Sequence, residues 1–325
     1  MLRTFAYVRP ASVSEALKQI EARGARIHAG GTDLVGCLRD GVFDAAKVVS
    51  LGKIDELRGI TLAPDGELRL GALASIAEIA EHPAVAEKFA ALAQAASVVA
   101  SPQLRNQGTI GGNLCQRPRC WYFRGDYPCT RKGGEMCYAV GGENQYHCIF
   151  GGGACVIVHP SDTAPALIAL DAKVRILGPK GARVIPLEQF FVLPEKDATR
   201  ETVLEPGEIL AGVLVPPAPA GQASGYRKVR ARGSWDFAMA GLAHAITIKA
   251  GKVAAARLVL SGVAPVPWRL QAVEKLLVGQ KLDAKLVARA ADAAVAGAKP
   301  LAHNGYKVPL VRGVVEDVLG AVPAA

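Results

Sequence analysis

The first forty residues alternate between short apolar runs and polar segments with helical spacing. The pattern predicts a strand over 5–8, a helix that starts after Ser12, and a second strand over 25–28. Another helix is predicted over 34–41, directly after a pair of glycines. This order of elements predicts a small unit in which strands and helices alternate.

The middle of the chain mixes strands with strongly apolar helices. The run around Asp65 predicts a β-hairpin, because the sequence Asp-Gly favours a tight turn between two strands. Apolar runs over 84–99 and 163–172 each predict one buried helix, and residues 173–177 predict a strand. Residues 188–219 are expected to form a looser region, which ends in a proline-rich stretch typical of a domain boundary.

The last hundred residues have the pattern of an antiparallel sheet followed by helices. Strands are predicted over 225–230, 239–249 and 253–262, with Ala250 and Gly251 forming the turn between the last two. Two or three helices are expected between residues 268 and 298. This region therefore predicts a separate sheet-and-helix domain.

Composition bounds the class of protein. The chain has 325 residues, of which 50% are hydrophobic, so it can bury the cores of two or three domains. It contains no apolar stretch long enough to span a membrane and no signal-peptide pattern, so we expect a soluble protein of the cytoplasm, or one exported with a partner subunit. Its net charge of +9 is scattered rather than clustered, which favours acidic partners or cofactor phosphates over nucleic acid.

Two glycine pairs are candidates for binding a phosphate-containing cofactor. The first lies in the sequence AGGTDL, residues 29–34, where a strand leads into a helix and backbone N–H groups can converge on a pyrophosphate. Thr32 can add a hydroxyl donor. The second lies in TIGGNL, residues 109–114, where Asn113 offers a side-chain amide. Two separated glycine segments can serve the two ends of one extended cofactor.

Six of the seven cysteines lie between residues 115 and 155, in a glycine-rich segment that predicts little regular structure. No CxxC pair occurs, although such pairs are typical of short zinc sites. The spacings between Cys120, Cys129, Cys137 and Cys155 suit a larger inorganic core, and nearby arginines can offset thiolate charge. A metal cluster, a zinc ion and unliganded structural thiols all remain compatible with this spacing. His147 and His159 are further possible ligands.

Four motifs resemble, in order, those of a known family. AGGTDL, QLRNQGTIGGNL, SDTAPAL and YRKVRARGSWDFAMAGLA are similar to the motifs of the FAD-binding medium subunit of the xanthine dehydrogenase and molybdenum hydroxylase family. The resemblance covers essentially the whole chain. The long cysteine-rich insertion resembles that of the subset with an additional 4Fe-4S cluster, which includes bacterial molybdenum aldehyde oxidoreductases and 4-hydroxybenzoyl-CoA reductase.

The resemblance implies the cofactors and the residues that hold them. It implies an FAD and a 4Fe-4S cluster in this chain, with the molybdenum cofactor and 2Fe-2S clusters on partner subunits. Its implied cluster ligands are Cys120, Cys129, Cys137 and Cys155, whereas Cys115 and Cys148 fall outside the pattern. The FAD contacts that it implies are Ala29, Gly30, Gly31, Thr32, Asp33, Leu34, Thr109, Gly111, Gly112, Asn113, Asp162 and Lys228.

The resemblance also implies a fold. It is an α+β architecture with a two-part FAD-binding fold of the vanillyl-alcohol-oxidase (PCMH) type, followed by a C-terminal domain of antiparallel sheet and helices. The expected boundaries place the first FAD-binding subdomain at 1–57 and the second at 58–217, with the cysteine-rich insertion at about 115–155. The C-terminal domain, similar to that of the carbon monoxide dehydrogenase flavoprotein, is expected at 218–325.

The implied function is electron transfer within a heterotrimeric molybdenum hydroxylase, in particular an aldehyde oxidoreductase. Electrons from the molybdenum site of a large subunit would pass through 2Fe-2S clusters of a small subunit to FAD and an external acceptor. No acid–base catalyst for substrate chemistry is visible in this chain, which suits a division of labour between subunits.

Four alternatives remain open at this point. The chain can be the β-subunit of a 4-hydroxybenzoyl-CoA reductase-type enzyme with reversed electron flow, or belong to a xanthine or N-heterocycle dehydrogenase. It can also be a self-sufficient FAD oxidase, which predicts substrate oxidation by the isolated chain. A docking protein with a structural zinc site would instead be colourless.

Overall fold

Three β-sheets and the helices around them make up the protein. The computed structural model describes residues 2–322. Within that range, no helix is both long and apolar enough to cross a membrane. The sheets follow one another along the chain, so that each one collects strands from its own part of the sequence.

The first sheet has three parallel strands in the order β1, β3, β2. Its elements are β1 (Ala6–Val8), α1 (Val13–Ile20), β2 (Ala25–His28), α2 (Leu34–Arg39) and β3 (Lys47–Ser50). Helix α1 begins as predicted, because the Ser12 hydroxyl accepts a hydrogen bond from the Glu15 N–H at 3.2 Å. The predicted strand–helix–strand–helix order is therefore confirmed, and the first glycine pair lies between β2 and α2.

The second sheet has five strands in the order β4, β5, β8, β6, β7, and all neighbouring strands in it are antiparallel. Its strands are β4 (Ile60–Leu62), β5 (Leu68–Gly71), β6 (Lys173–Gly178), β7 (Gly181–Pro186) and β8 (Ile209–Val215). The hairpin at Asp65 is confirmed, with Gly66 at a φ of +86°. Strand β8 corrects the expectation of a looser region, because it is buried at the centre of the sheet.

The helices of this region are short. They are α3 (Ile76–Glu81), α4 (Pro83–Lys88), α5 (Ala90–Ser97), α6 (Pro102–Gln107), α7 (Ile110–Leu114), α8 (Trp121–Arg124), α9 (Tyr138–Gly141) and α10 (Thr163–Ala169). The single helix predicted over 84–99 is wrong, because the chain leaves helical geometry at Phe89. The Phe89 ring is fully buried, so core packing accounts for the break.

The third sheet has four antiparallel strands in the order β12, β11, β10, β9. The elements of this region are β9 (Gln222–Val229), β10 (Ala240–Lys249), β11 (Lys252–Ser261), β12 (Trp268–Arg269), α11 (Gln271–Leu277), α12 (Ala284–Ala294) and α13 (Lys307–Gly320). Ala250 and Gly251 form the predicted turn, both with positive φ. Helix α13 was not predicted, although its apolar residues pack into the same core as α12.

The largest hydrophobic core joins the second sheet to the third. Buried residues of α5, α7 and α10 pack against both the five-stranded sheet and the strands β9 to β11. Helix α10 is buried along its whole length. This core contains residues on both sides of the second glycine pair and packs around the sequence Ser161–Asp162–Thr163.

The domain boundaries 1–57, 58–217 and 218–325 stay a prediction. The first and last residues of the chain lie outside the described range.

Candidate functional site

The first glycine segment packs directly against the backbone of α6. A Cβ atom on Gly30 would lie 1.9 Å from the carbonyl oxygen of Gln107, so only glycine fits there. Gly31 has a φ of +74°, a conformation that glycine adopts at low cost. The Gln107 side-chain amide also donates a hydrogen bond to the Gly30 carbonyl at 3.2 Å. Contacts with Gln107, which lies 77 residues further along the sequence, therefore fix the shape of this segment.

The second glycine segment forms the start of α7. Thr109 caps this helix, because its hydroxyl accepts a hydrogen bond from the Gly112 N–H at 3.2 Å. A Cβ atom on Gly111 would lie 2.9 Å from the carbonyl oxygen and the Cβ of Ala72, so this position also requires glycine. A Cβ on Gly108 would lie 3.7 Å from the Thr32 hydroxyl, which shows how closely the two glycine segments approach.

Two adjoining cavities open where the glycine segments meet. The first cavity has a volume of about 260 Å³ and the second about 360 Å³. Five residues line both cavities: Thr32, Asp33, Thr109, Gly112 and Gln116. Because these residues are shared, the two cavities together offer an elongated space along the glycine segments.

The two cavities differ in their remaining walls. The first is closed by apolar side chains such as Leu204 and Leu210, whereas the second is flanked by Trp235 and Phe237 from the turn before β10. None of these four residues was a candidate from the sequence. Leu204 and Leu210 lie outside the four motifs, whereas Trp235 and Phe237 belong to the motif YRKVRARGSWDFAMAGLA, which indicated no role for either side chain.

Asp33 binds arginine residues of the cysteine-rich segment. Its carboxylate accepts hydrogen bonds from the Arg117 N–H at 2.7 Å and from the Arg124 guanidinium at 2.7 Å, and it also pairs with Arg119. Burial acts to raise the pKa of Asp33, but the two guanidinium groups outweigh it and lower that pKa. Asp33 therefore links the first glycine segment to the start of the cysteine-rich segment, a role that the sequence motif did not indicate.

Asn113 is held by two hydroxyls that follow the cysteine-rich segment. Its side-chain oxygen accepts a hydrogen bond from Thr163 at 2.7 Å and another from Ser161 at 2.5 Å. Both hydroxyls are buried at the start of α10. The side chain of Asn113 is thereby oriented at the wall of the second cavity, while its backbone remains in α7.

Asp162 and Lys228 form a buried ion pair. The Lys228 ammonium lies 2.7 Å from the Asp162 carboxylate, and the two side chains are 2% and 5% exposed respectively. The Tyr226 hydroxyl donates a second hydrogen bond to this carboxylate at 2.7 Å. Burial raises the pKa of Asp162, and the neighbouring ammonium opposes that shift. Asp162 lines the second cavity, so the pair brings a fixed charge arrangement to the wall of the site.

The four predicted ligand cysteines converge in the structure. The thiols of Cys120, Cys129 and Cys137 lie close enough for their charges to interact. Cys137 and Cys155 share a hydrogen bond between their thiols, which lowers the pKa of Cys137 and raises that of Cys155. All four are free thiols. Residues that are 35 positions apart in the chain are thus brought to one place by the irregular segment between α8 and α10.

The described residues 2–322 contain no group of three or more His, Cys, Asp or Glu side chains arranged to hold a single metal ion. Burial is the main cause that raises the pKa of Cys120.

Two basic side chains contact the gathered thiols. The Nε2 atom of His147 lies 3.2 Å from the sulfur of Cys120, and the Arg131 guanidinium donates to Cys155 at 3.4 Å. Arg131 is 3% exposed and forms an ion pair with Glu201 at 2.7 Å. The sequence named His147 only as a possible ligand, and no pattern connected it to Cys120.

A third cavity of about 390 Å³ lies between the cysteine-rich segment and the third sheet. It is lined by Cys120 and His147 on one side and by Asp162 and Phe237 on the other. His159 also lines this cavity, and its burial lowers its pKa to about 3, so the imidazole is neutral. Cys120 therefore faces the same space as Asp162 and Phe237, which also line the second cavity.

The remaining cysteines lie apart from this group or at its edge. Cys37 is buried in α2, where its sulfur contacts the Arg124 guanidinium at 2.8 Å. Cys115 lines the first cavity. Cys148 is buried beside Cys137, and burial raises its pKa to about 12.

Two family models match the chain end to end. Residues 3–218 match the FAD binding domain in molybdopterin dehydrogenase, and residues 224–322 match the carbon monoxide dehydrogenase flavoprotein C-terminal domain.

Characterised relatives match over nearly the same length. The aldehyde oxidoreductase FAD-binding subunit PaoB of Escherichia coli (strain K12) is 36% identical, and the match covers 99% of each chain. The carbon monoxide dehydrogenase medium chain of Hydrogenophaga pseudoflava is 28% identical, over 98% of this chain and 96% of the relative.

The fold agrees with a solved structure. A chain of the carbon monoxide dehydrogenase from Hydrogenophaga pseudoflava, in a form that lacks the Mo-pyranopterin moiety, superimposes with a TM-score of 0.79 at 28% identity, covering 99% of this chain and 98% of that one. The predicted fold class, an FAD-binding part followed by an antiparallel sheet-and-helix domain, is confirmed. The chain belongs to the family of FAD-binding subunits of molybdenum-dependent oxidoreductases that includes the xanthine and carbon monoxide dehydrogenases.

Proposed function

We propose that this chain is the electron-transfer subunit of a molybdenum-dependent aldehyde oxidoreductase, and that it holds a 4Fe-4S cluster in addition to FAD. One observation carries the proposal. Two glycine segments meet on adjoining cavities, and Cys120, one of four neighbouring thiols, lines a third cavity together with Asp162 from the wall of the second. A nucleotide cofactor and an inorganic cluster would then lie in neighbouring parts of one chain.

The glycine segments fit FAD because they leave room for close approach of the backbone. A Cβ atom would collide with the Gln107 backbone at Gly30 and with Ala72 at Gly111, so glycine lets both segments pack closely on neighbouring backbone. The residues that would hold FAD are Ala29, Gly30, Gly31, Thr32, Asp33, Leu34, Thr109, Gly111, Gly112, Asn113, Asp162 and Lys228. In this assignment Asp33 acts through its backbone and through its hold on Arg117, while Lys228 acts by keeping Asp162 in place.

The thiols fit a 4Fe-4S cluster by their chemistry and surroundings. Thiolates are the ligands that such clusters require, and Cys120, Cys129, Cys137 and Cys155 are free and gathered. The Arg131 guanidinium can offset part of their negative charge. When bound, FAD and an iron–sulfur cluster accept and release electrons, and the chain supplies position and electrostatics.

The identity of the substrate rests on a comparison among relatives. The aldehyde oxidoreductase subunit is 36% identical, whereas the carbon monoxide and xanthine dehydrogenase subunits are 26–28% identical. This difference supports aldehyde oxidation at the molybdenum centre of a large partner subunit. A small partner with 2Fe-2S clusters would deliver the electrons to this chain. We also place domain boundaries at residues 57 and 217, so that the first glycine segment lies in the first FAD-binding subdomain and the second glycine segment in the second.

The proposal is tested on the anaerobically purified chain. Its visible spectrum is recorded, flavin is released with acid, and iron and zinc are counted by elemental analysis of the same sample. The expected result is one flavin and about four irons, the number in a cubane cluster. Stoichiometric zinc without iron would contradict the cluster, and a preparation that cannot be loaded with FAD would contradict the whole assignment.

The substrate is tested separately on the complex assembled with its partner subunits. Aldehydes are expected to reduce the flavin in that complex, whereas the isolated chain is expected to show no flavin reduction by aldehydes. Reduction of the isolated chain by an organic substrate would instead identify a self-sufficient oxidase.

A further inference from the structure

His147 makes an unusual contact. Its Nε2 atom lies 3.2 Å from the sulfur of Cys120, and the residue is only 4% exposed. Its second ring nitrogen, Nδ1, is buried and has no hydrogen-bond partner among the residues that the structure describes. The sulfur is therefore the polar group towards which this imidazole is directed.

The direction of this hydrogen bond follows from the state of the sulfur. A cysteine that binds iron does so as a thiolate, which has no proton to donate. The 3.2 Å contact is then a hydrogen bond only when Nε2 carries the proton and the sulfur accepts it. Backbone N–H groups of Tyr122 and Phe123 also donate to this sulfur, so the imidazole completes a set of donors around Cys120.

The imidazole is held in place from the C-terminal end of the chain. The fully buried Asn304 donates hydrogen bonds to the carbonyls of His147 and Cys148, both at 3.1 Å. Lys307, in the first turn of α13, donates to the Tyr146 carbonyl at 3.0 Å. The ring of Trp121 makes an edge-to-face contact with the His147 imidazole, at 5.7 Å between centroids, and so contacts the imidazole directly. These contacts fix the position of the buried His147 imidazole beside Cys120.

We propose that His147 is a positioning residue that donates an N–H···S hydrogen bond to Cys120 and thereby raises the reduction potential of the cluster bound there. This inference rests on the proposed function, since it assumes that Cys120 is a cluster ligand. Reduction adds negative charge that spreads onto the ligand sulfurs, and a donor aimed at one of them stabilises the reduced state more than the oxidised one. Asn304 and Lys307 serve this contact by fixing the backbone of residues 146–148.

The test compares two substitutions at one position. His147→Gln keeps an N–H donor, whereas His147→Leu removes it at similar volume. His303→Leu is the matched control, because His303 lies near the same backbone but its side chain is exposed. The midpoint potential of the reduced-cluster signal is measured by electron paramagnetic resonance at fixed pH in full-length protein, together with iron content.

His147→Leu is expected to lower the equilibrium constant for reduction about tenfold, which is about 59 mV for one electron. His147→Gln and His303→Leu are expected to stay near the wild-type potential. An unchanged potential in an iron-loaded His147→Leu protein would overturn the inference. Absence of iron from the wild-type protein would instead overturn the proposed function, so the two failures are distinguishable.

A measurement on the wild-type protein keeps the inference testable if His147→Leu loses its iron. Protein labelled with ¹⁵N-histidine is expected to show a weak nitrogen coupling to the cluster signal, and His147→Gln is expected to abolish it while His303→Leu retains it. No histidine coupling in the wild-type protein, or a coupling as strong as that of a nitrogen bound directly to iron, would refute the hydrogen bond.

Discussion

Replacing Gly30 with alanine should separate the two glycine segments and expel FAD. The added Cβ would lie 1.9 Å from the Gln107 carbonyl oxygen and 2.8 Å from its carbonyl carbon. Both are backbone atoms, so no change of side-chain rotamer relieves the contact. Ordinary contact begins at 3.4 Å, so the segments must move apart by about 1.5 Å.

The energetic cost has two parts. Forcing an extra carbon into packed backbone costs about 1–3 kcal/mol of unfolding free energy. The same movement stretches the 3.2 Å hydrogen bond from Gln107 to the Gly30 carbonyl. It also displaces the backbone N–H groups that would bind the pyrophosphate, and loss of a single hydrogen bond to a charged group weakens binding by about tenfold or more.

Gly313 supplies a matched control away from the cavities. It lies exposed in α13, its φ is not positive, and a Cβ there would meet nothing within 4 Å. Gly313→Ala should therefore leave the flavin content unchanged and raise the unfolding free energy by about 0.5–1 kcal/mol, because alanine is the better helix former. The assay is acid-released flavin per protein, with denaturant unfolding of the same preparations. A Gly30→Ala protein with wild-type flavin content and stability would refute the reasoning.

Three further predictions follow from the same structure. Cys120→Ser should remove iron but leave FAD, whereas Cys148→Ser should retain both, because only Cys120 belongs to the proposed ligand set; elemental analysis showing the reverse would contradict that set. Burial lowers the pKa of Lys307 from 10.5 to about 7, so the unfolded chain binds more protons between these values and the unfolding free energy should rise with pH across that window. Lys307→Met should flatten this rise in denaturant titrations, and equal slopes in both proteins would exclude Lys307 as its source. Phe190→Ala should cost about 3–5 kcal/mol of unfolding free energy because the ring is fully buried, whereas Val184→Ala on an exposed strand should cost less than about 0.5 kcal/mol; a similar loss in both would contradict the packing argument.

Local patterns predicted much of the secondary structure. Ser75 and Glu78 have the spacing of a capping box, and they form one at the start of α3. Gly251 also marks the turn between β10 and β11, since glycine readily adopts its φ of +71°. Such features depend on groups within a few residues of one another, so the sequence contains all the information that they require.

Strand β8 escaped prediction because its formation depends on distant strands. The run over 209–215 is apolar, but it becomes a central strand only because β5 and β6 pair with its two edges. Those partners lie far away in the chain. Proline and glycine on either side favoured a loop, and long-range pairing outweighed that local preference.

The sequence by itself determined the family, the order of most elements and the positions of the glycine and cysteine motifs, because each depends on residue type and short spacing. Only the tertiary structure showed that Gly30 packs on Gln107, that Asp33 binds three arginine residues of the cysteine-rich segment, and that Asn304 fixes the backbone of His147 beside Cys120. These contacts join groups tens to more than a hundred residues apart. Their geometry is set by how the three sheets and the shared core pack, which no local pattern encodes.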